Sequence, residues 1–366
     1  GVLGAGIAAG GWGVANWPVM GEIAMSWVVS PVLGGLVAAG FLYFIKRTIT
    51  YRADMRAAAL KVVPLLTALM TWAFTAYICT KGIKHLVKID MTTAMGIGVV
   101  TGVIAWFVMR PLVSRAASRL ANDKEGVNKL FTIPLICSAA LLSFAHGAND
   151  VANAIGPLAG IHEVLTQHAV AAKASVPLWI MVVGALGIVA GLTFYGPRLI
   201  RTVGSEITEL DQMRAFCIAM AAALTVLIAS HLGLPVSSTH IAVGGVFGVG
   251  FLRELLKARY ARAIEEIEAH HQGEDRQVVE EFLAKFEAAD IVDQGRMLEE
   301  LKRRSTESGK RMLSKGERKG LKKAYQNQLV KRSILLKIIT AWVITVPASG
   351  LLAAMLYFTI RGMSLP

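Results

Sequence analysis

Two short polar clusters interrupt an otherwise apolar sequence, and both are made of residues that bind ions. The first is Phe144-Ala-His-Gly-Ala-Asn-Asp-Val-Ala-Asn-Ala-Ile-Gly-Pro157, in which Asn149, Asp150 and Asn153 supply one carboxylate and two amides within five positions. An ionisable group inside an apolar span is costly in a bilayer and persists mainly against a protein-lined cavity, so Asp150 is a candidate cation or proton site. Its competing reading is a helix cap. Gly147 predicts a break in the helix, which would end near His146 and restart near Asn149; carbonyls freed there would deepen a negative pocket. The second cluster is Gly233-Leu-Pro-Val-Ser-Ser-Thr-His240. Pro235 stops the preceding segment, and Ser237, Ser238 and Thr239 stand at the start of a helix expected over 240–252. The free N–H groups and positive dipole end of such a terminus suit an oxyanion. Taken alone, the three hydroxyls read as ordinary N-caps. His146, His231 and His240 read as hydrogen-bonded structural histidines.

The elements that must carry these clusters are long apolar helices. The chain is 54% hydrophobic and 17% charged, and its apolar runs are longer than those of ordinary core helices. A transmembrane helix needs about 20 such residues. Candidate spans are 22–45, 59–80, 91–113, 130–146 continuing through 160, 178–197, 213–231, 240–252 and 334–360. Pro31, Gly34 and Gly35 predict a kink or a close helix contact in the first span, and Gly98-x-x-x-Gly102 predicts close packing in the third. Cys79, Cys137 and Cys217 fall within spans, at no metal-ligand spacing, and read as small core residues.

The formal net charge of +13 is distributed in a way that argues against nucleic acid. Residues 253–332 hold half of the 38 Lys and Arg and three fifths of the 25 Asp and Glu, a mixed-sign block that reads as a solvated helical insertion. The remaining excess lies on short loops, where positive charge marks the cytoplasmic side. On that rule 46–61, 110–129, 198–214 and 253–332 are inside and 161–177 is outside; the same path puts 81–90 outside as an exception, against Lys81, Lys84 and Lys88, and a hairpin around 232–240 does not cross fully. His270 and His271 belong to the solvated face.

Internal repetition divides the chain. Gly1-Val-Leu-Gly-Ala-Gly-Ile7 matches Gly245-Val-Phe-Gly-Val-Gly-Phe251, and the Trp27 segment, with Pro31 and Ala38-Ala39, matches the Trp342 segment, with Pro347 and Ala353-Ala354. Repeats at this separation mean two structural halves, and their connectors suit opposite membrane faces. The fold expected is an all-α polytopic integral membrane protein with two inverted repeats containing broken helices and re-entrant hairpins. Residues 1–45 form the remainder of the first repeat, 46–129 two additional transmembrane helices, and 130–252 the core of the second repeat. Residues 253–333 form the charged cytoplasmic insertion and 334–366 the last transmembrane helix.

Gly147-Ala-Asn-Asp-Val-Ala-Asn-Ala-Ile-Gly-Pro157 and Gly233-Leu-Pro-Val-Ser-Ser-Thr-His240 together resemble the signatures of the inorganic phosphate transporter (PiT) family, the sodium- or proton-coupled phosphate permeases. The resemblance implies symport of inorganic phosphate across the plasma or inner membrane by a protein that is not an enzyme and carries no cofactor. By position it implies Asn149, Asp150 and Asn153 at the coupling ion and Ser237, Ser238 and Thr239 at phosphate. Sodium at Asp150 is the one metal ion implied, with a proton the alternative, and Ala219 stands where sodium-coupled members often have an acidic or amide residue. The family's first-repeat signature would fall before Gly1, so the sequence is expected to lack the start of a complete carrier. A permease for sulfate or another tetrahedral oxyanion is the alternative reading; a membrane-embedded enzyme or receptor is the different-class one, against which stands the lack of a nucleophile–base pair, metal-ligand set or nucleotide motif. Homo-oligomerisation stays open.

Overall fold

A computed structural model describes residues 1–366 except 53, 84–86, 88, 168–175, 202–209, 233–235, 271–280, 284, 286–296, 298–331 and 365–366. Most of the charged block 253–333 therefore lies outside the described residues. In chain order the helices are α1 (Val2–Gly10), α2 (Trp17–Ile45), α3 (Met55–Tyr77), α4 (Met91–Ala117), α5 (Lys124–Lys129), α6 (Thr132–Gln167), α7 (Leu178–Arg201), α8 (Gln212–His231), α9 (Ser238–His270) and α10 (Arg332–Ser364). Among the described residues eight helices are long and apolar enough to cross a membrane by length and composition, and they coincide with the eight spans expected from hydropathy. Local chemistry sets their starts: Asp54, Asp90 and Asp123 accept the N–H groups of Ala57, Thr93 and Gly126 at the heads of α3, α4 and α5, satisfying donors that a helix leaves unpaired.

Helix α8 lies at the centre. Phe216, Cys217, Ala219 and Ala221–Ala223 are all buried, and the small side chains let α2, α6 and α9 approach closely. The outer helices show the opposite pattern. Phe194 and Tyr195 of α7 and Val343 and Leu351 of α10 are exposed, as apolar groups facing lipid must be. Cys137, expected among core residues, is exposed on α6, whereas Cys79 and Cys217 are buried.

Glycine sets the closest crossings. A Cβ at Gly244 or Gly248 of α9 would collide with the backbone of Pro31 or Gly35 of α2, and one at Gly4 of α1 would strike Gly350 of α10. The segments matched in sequence thus meet crosswise, α1 on α10 and α2 on α9. Gly98 and Gly102 pack against Trp72 and Ala68 of α3, and Thr101 donates to Thr75 across the same pair at 2.9 Å.

Two expectations need correction. The helix break at Gly147 is not found: α6 runs unbroken from Thr132 to Gln167. One interior glycine costs only about 1 kcal/mol relative to Ala, and the alanine-rich residues around it favour continuation. The helix after the second cluster begins at Ser238, not 240, and extends to His270. Both arms of the expected re-entrant hairpin are long enough to cross by length and composition, as Gln212–Ala229 and Ser238–Leu256.

Candidate functional site

The two polar clusters meet where the middle of α6 passes the start of α9. Ser238 Oγ donates to Asp150 Oδ1 at 2.9 Å. His146, one turn before Asp150 on the same face of α6, places Nδ1 2.7 Å from Ser238 Oγ and 3.0 Å from Asp150 Oδ2. Because the hydroxyl proton goes to the carboxylate, Ser238 Oγ can only accept from His146, so the consistent arrangement protonates Nδ1 and shares that hydrogen between Ser238 and Asp150. Ser238 is 1% exposed, and a buried hydroxyl needs such partners. Tyr77, Ala145, Ala222, Val226 and Ile241 form a buried apolar wall beside the triangle, and Phe144 meets the Tyr77 ring edge-on.

The three hydroxyls have separate surroundings. Ser237 Oγ accepts from His240 N at 3.3 Å, capping α9. Ser238 turns to Asp150, and Thr239 is exposed. On α6, Asn153 is exposed and the side chain of Asn149 lies outside the described residues. Since α6 is unbroken, no half-helix carbonyls of α6 are freed beside Asp150.

His146 is the site residue that motif reading underrated. Its i,i+4 spacing from Asp150 was a usable signal; the link to Ser238 was not visible. His240 also has an unforeseen role, its ring stacked on Trp342 of α10 with centroids 3.8 Å apart.

A serine, a histidine and an aspartate in mutual contact invite comparison with a hydrolytic triad. In a triad one ring nitrogen faces the nucleophile and the other faces the carboxylate, so a proton can be taken from serine. Here Nδ1 faces both partners and Ser238 gives its hydrogen to Asp150. The triangle is a polar tie between two membrane helices, arranged for binding and not for nucleophilic attack.

Fold and site together define a polytopic, helical membrane protein in which a buried hydroxyl meets a partly exposed carboxylate between spans. The phosphate transporter family (PHO4) matches residues 1–353, and the chain belongs to that family, whose function is transport and not catalysis. A Helicobacter pylori (strain J99) protein bearing the name "Putative phosphate permease" is 52% identical over 364 residues, covering 98% of this chain and 68% of its own length. A Pyrococcus horikoshii protein of the same description is 38% identical over 260 residues, covering 69% of this chain and 62% of its own. A solved structure described as "The sodium-dependent phosphate transporter" is similar at 33% identity and a TM-score of 0.63, covering 69% of this chain and 62% of that one. The chain thus spans about two thirds of the length of these relatives.

Proposed function

We propose that this chain carries inorganic phosphate across the membrane by symport with sodium, with Asp150, Asn149 and Asn153 at the cation and Ser237, Ser238 and Thr239 at phosphate. The observation that supports this most is the 2.9 Å bond from Ser238 to Asp150, because it makes one carboxylate oxygen the common partner of both proposed sites. A cation taken by Asp150 competes with Ser238 for that oxygen. The hydroxyl hydrogen then becomes available to a phosphate oxygen at the start of α9, where the helix dipole already favours an anion. Cation and anion would therefore favour each other's binding, as symport requires. Sodium is preferred over a proton because neighbouring neutral oxygens suit a coordinated cation, and the sodium-dependent description of the solved relative agrees with that choice. The crosswise packing of matched segments, α1 on α10 and α2 on α9, supports reading the molecule as two repeats related by approximate symmetry.

The test is uptake of labelled phosphate into proteoliposomes, driven in turn by a sodium gradient at fixed pH and by a pH gradient without sodium. Sodium-driven accumulation that excess sulfate fails to inhibit is the expected result. Full uptake on the pH gradient alone would replace sodium by a proton, and inhibition by sulfate matching that by phosphate would broaden the substrate to tetrahedral oxyanions.

A further inference from the structure

Beside the glycine crossing lies a long apolar cleft. Gly35 of α2 and Gly244 and Gly248 of α9, which meet backbone to backbone, are part of its lining. Its walls are apolar side chains of three helices, among them Val32, Leu36 and Ala39 of α2, Phe247 and Phe251 of α9, and Trp342 of α10, and no charged side chain lines it. The cleft encloses about 990 Å³, and its α2 wall runs from Ala24 to Ala39, about 22 Å at helical rise. A helix of that length, about 10 Å across, would need about 1,700 Å³. The cleft is therefore too small to seat a further helix, but it lies at the upper end of the range for ligand pockets, about 300–1,000 Å³.

One end of this cleft leads to a positive charge. Leu36, Tyr43 and Arg47 stand at i, i+7 and i+11, which puts them on one face of α2 and of the π-helical turn that continues it. The cleft wall thus extends to Arg47, about 12 Å past Ala39. Arg47 is exposed, and its Nη1 donates to the Tyr43 hydroxyl at 3.3 Å. Among the described residues no carboxylate pairs with it. Tyrosine and arginine at the end of a span suit the headgroup layer, and the remaining donors of the guanidinium fork match phosphate oxygens. The lengths agree as well: half a bilayer with its headgroups measures about 20–22 Å, and Arg47 to Val32 is about 22 Å along the helix. A lipid with its phosphate at Arg47 therefore lays the end of its acyl chain against Val32, inside the cleft.

We propose that the cleft between α2, α9 and α10 is a binding site for an anionic phospholipid, with one acyl chain in the cleft and the phosphate at Arg47. A zwitterionic headgroup brings its own cation toward Arg47, so the site selects a lipid of net negative charge. The inference stands on the cleft, its length and the charge at its end, and does not depend on the transport reading.

The test titrates phosphatidylglycerol, and separately phosphatidylcholine, into the full chain in detergent and counts bound lipids by native mass spectrometry. The wild-type chain is expected to retain phosphatidylglycerol in preference. Arg47→Gln, a change at an exposed side chain, should lower phosphatidylglycerol affinity by about tenfold or more, as for loss of one charged hydrogen-bond partner, and leave phosphatidylcholine nearly unaffected. Ala39→Trp, which fills the cleft, should weaken both lipids. Arg361→Gln is the control: Arg361 pairs with Tyr357 in the same way at 3.5 Å, but it lies about 21 Å along α10 from Pro347, the last residue of α10 to line the cleft. Its substitution should change neither affinity. Equal retention of the two lipids by the wild-type chain, or equal losses from Arg47→Gln and Arg361→Gln, would overturn the proposal, since either means that no headgroup is selected at Arg47. Lipid retention untouched by Ala39→Trp would overturn it too, and a dimer that this substitution dissociates would then assign the cleft to a second copy of the chain.

Discussion

Helix α9 meets its neighbours in two contrasting ways within a few turns. At its start, Ser238 reaches α6 through a directed hydrogen bond to Asp150. From Gly244 to Gly248 it meets α2 through backbone against backbone, with no room for a Cβ. The first contact is polar, specific and small in area. The second depends on shape alone and holds two spans at their closest approach, which in a bilayer is what helix association rests on. A directed contact can be exchanged for a ligand without separating the helices, provided a steric one nearby keeps them in place. Changes at the two regions should therefore act on different observables.

The largest effect is expected at Asp150. Asp150→Asn keeps the shape and the capping ability of the side chain but loses its charge, so sodium-driven phosphate accumulation should fall to background with the protein still present and folded. Near-normal uptake would reduce Asp150 to a structural residue and erase the contrast. Next comes the glycine crossing. Gly248→Val forces a side chain onto the Gly35 backbone and should destabilise the fold by about 3 kcal/mol, seen as a lowered melting temperature and poor yield. Gly187→Val on α7 is the control, since a Cβ there meets nothing within 4 Å. Equal losses from both substitutions would show that position, not contact, is being tested.

Within the polar cluster, Ser238→Ala should weaken phosphate affinity by about tenfold or more with little change in melting temperature. Ser237→Ala removes the cap of α9 together with one proposed phosphate donor, and should cost about 1 kcal/mol of stability with a smaller loss of affinity than Ser238→Ala. An affinity loss of the same size for both would mean that the two hydroxyls act as one group. The smallest effect concerns Asp90, at the head of α4. Hydrogen bonds from the Thr93 hydroxyl and then from its N–H hold its carboxyl below the usual range. A carboxyl with a depressed folded-state pKa contributes stability above its unfolded pKa and loses it as pH falls through the folded one. Melting temperatures of the wild-type chain and Asp90→Asn should therefore converge below about pH 4, and a gap that widened on acidification would contradict the capping geometry.

Much of the molecule was legible before any geometry was known. The spans were, because crossing a bilayer requires about 20 apolar residues in a row, and that length is written locally. Gly98 and Gly102 were, because small residues four apart on a helix mark a close approach, and they do pack on α3. Cys137 was misplaced because hydropathy reports that a residue avoids water without saying whether it faces protein or lipid. The break at Gly147 was misjudged because glycine permits a break without requiring one.

The sequence by itself determined the helical membrane class, the number of long apolar helices and the two places where ion-binding chemistry interrupts them, since each follows from composition and spacing along a few turns. Only the tertiary structure decided which hydroxyl meets Asp150. Ser237, Ser238 and Thr239 are adjacent, and successive residues on a helix point roughly 100° apart, so one caps, one faces α6 and one is exposed. The rotation of α9 that selects Ser238 is imposed by its packing on α2 and α8, and the contact joins residues 88 positions apart. The same holds for His146, tied to Ser238 across 92 positions. Local chemistry fixes what a segment can be, whereas the mutual packing of helices fixes which of its side chains meet.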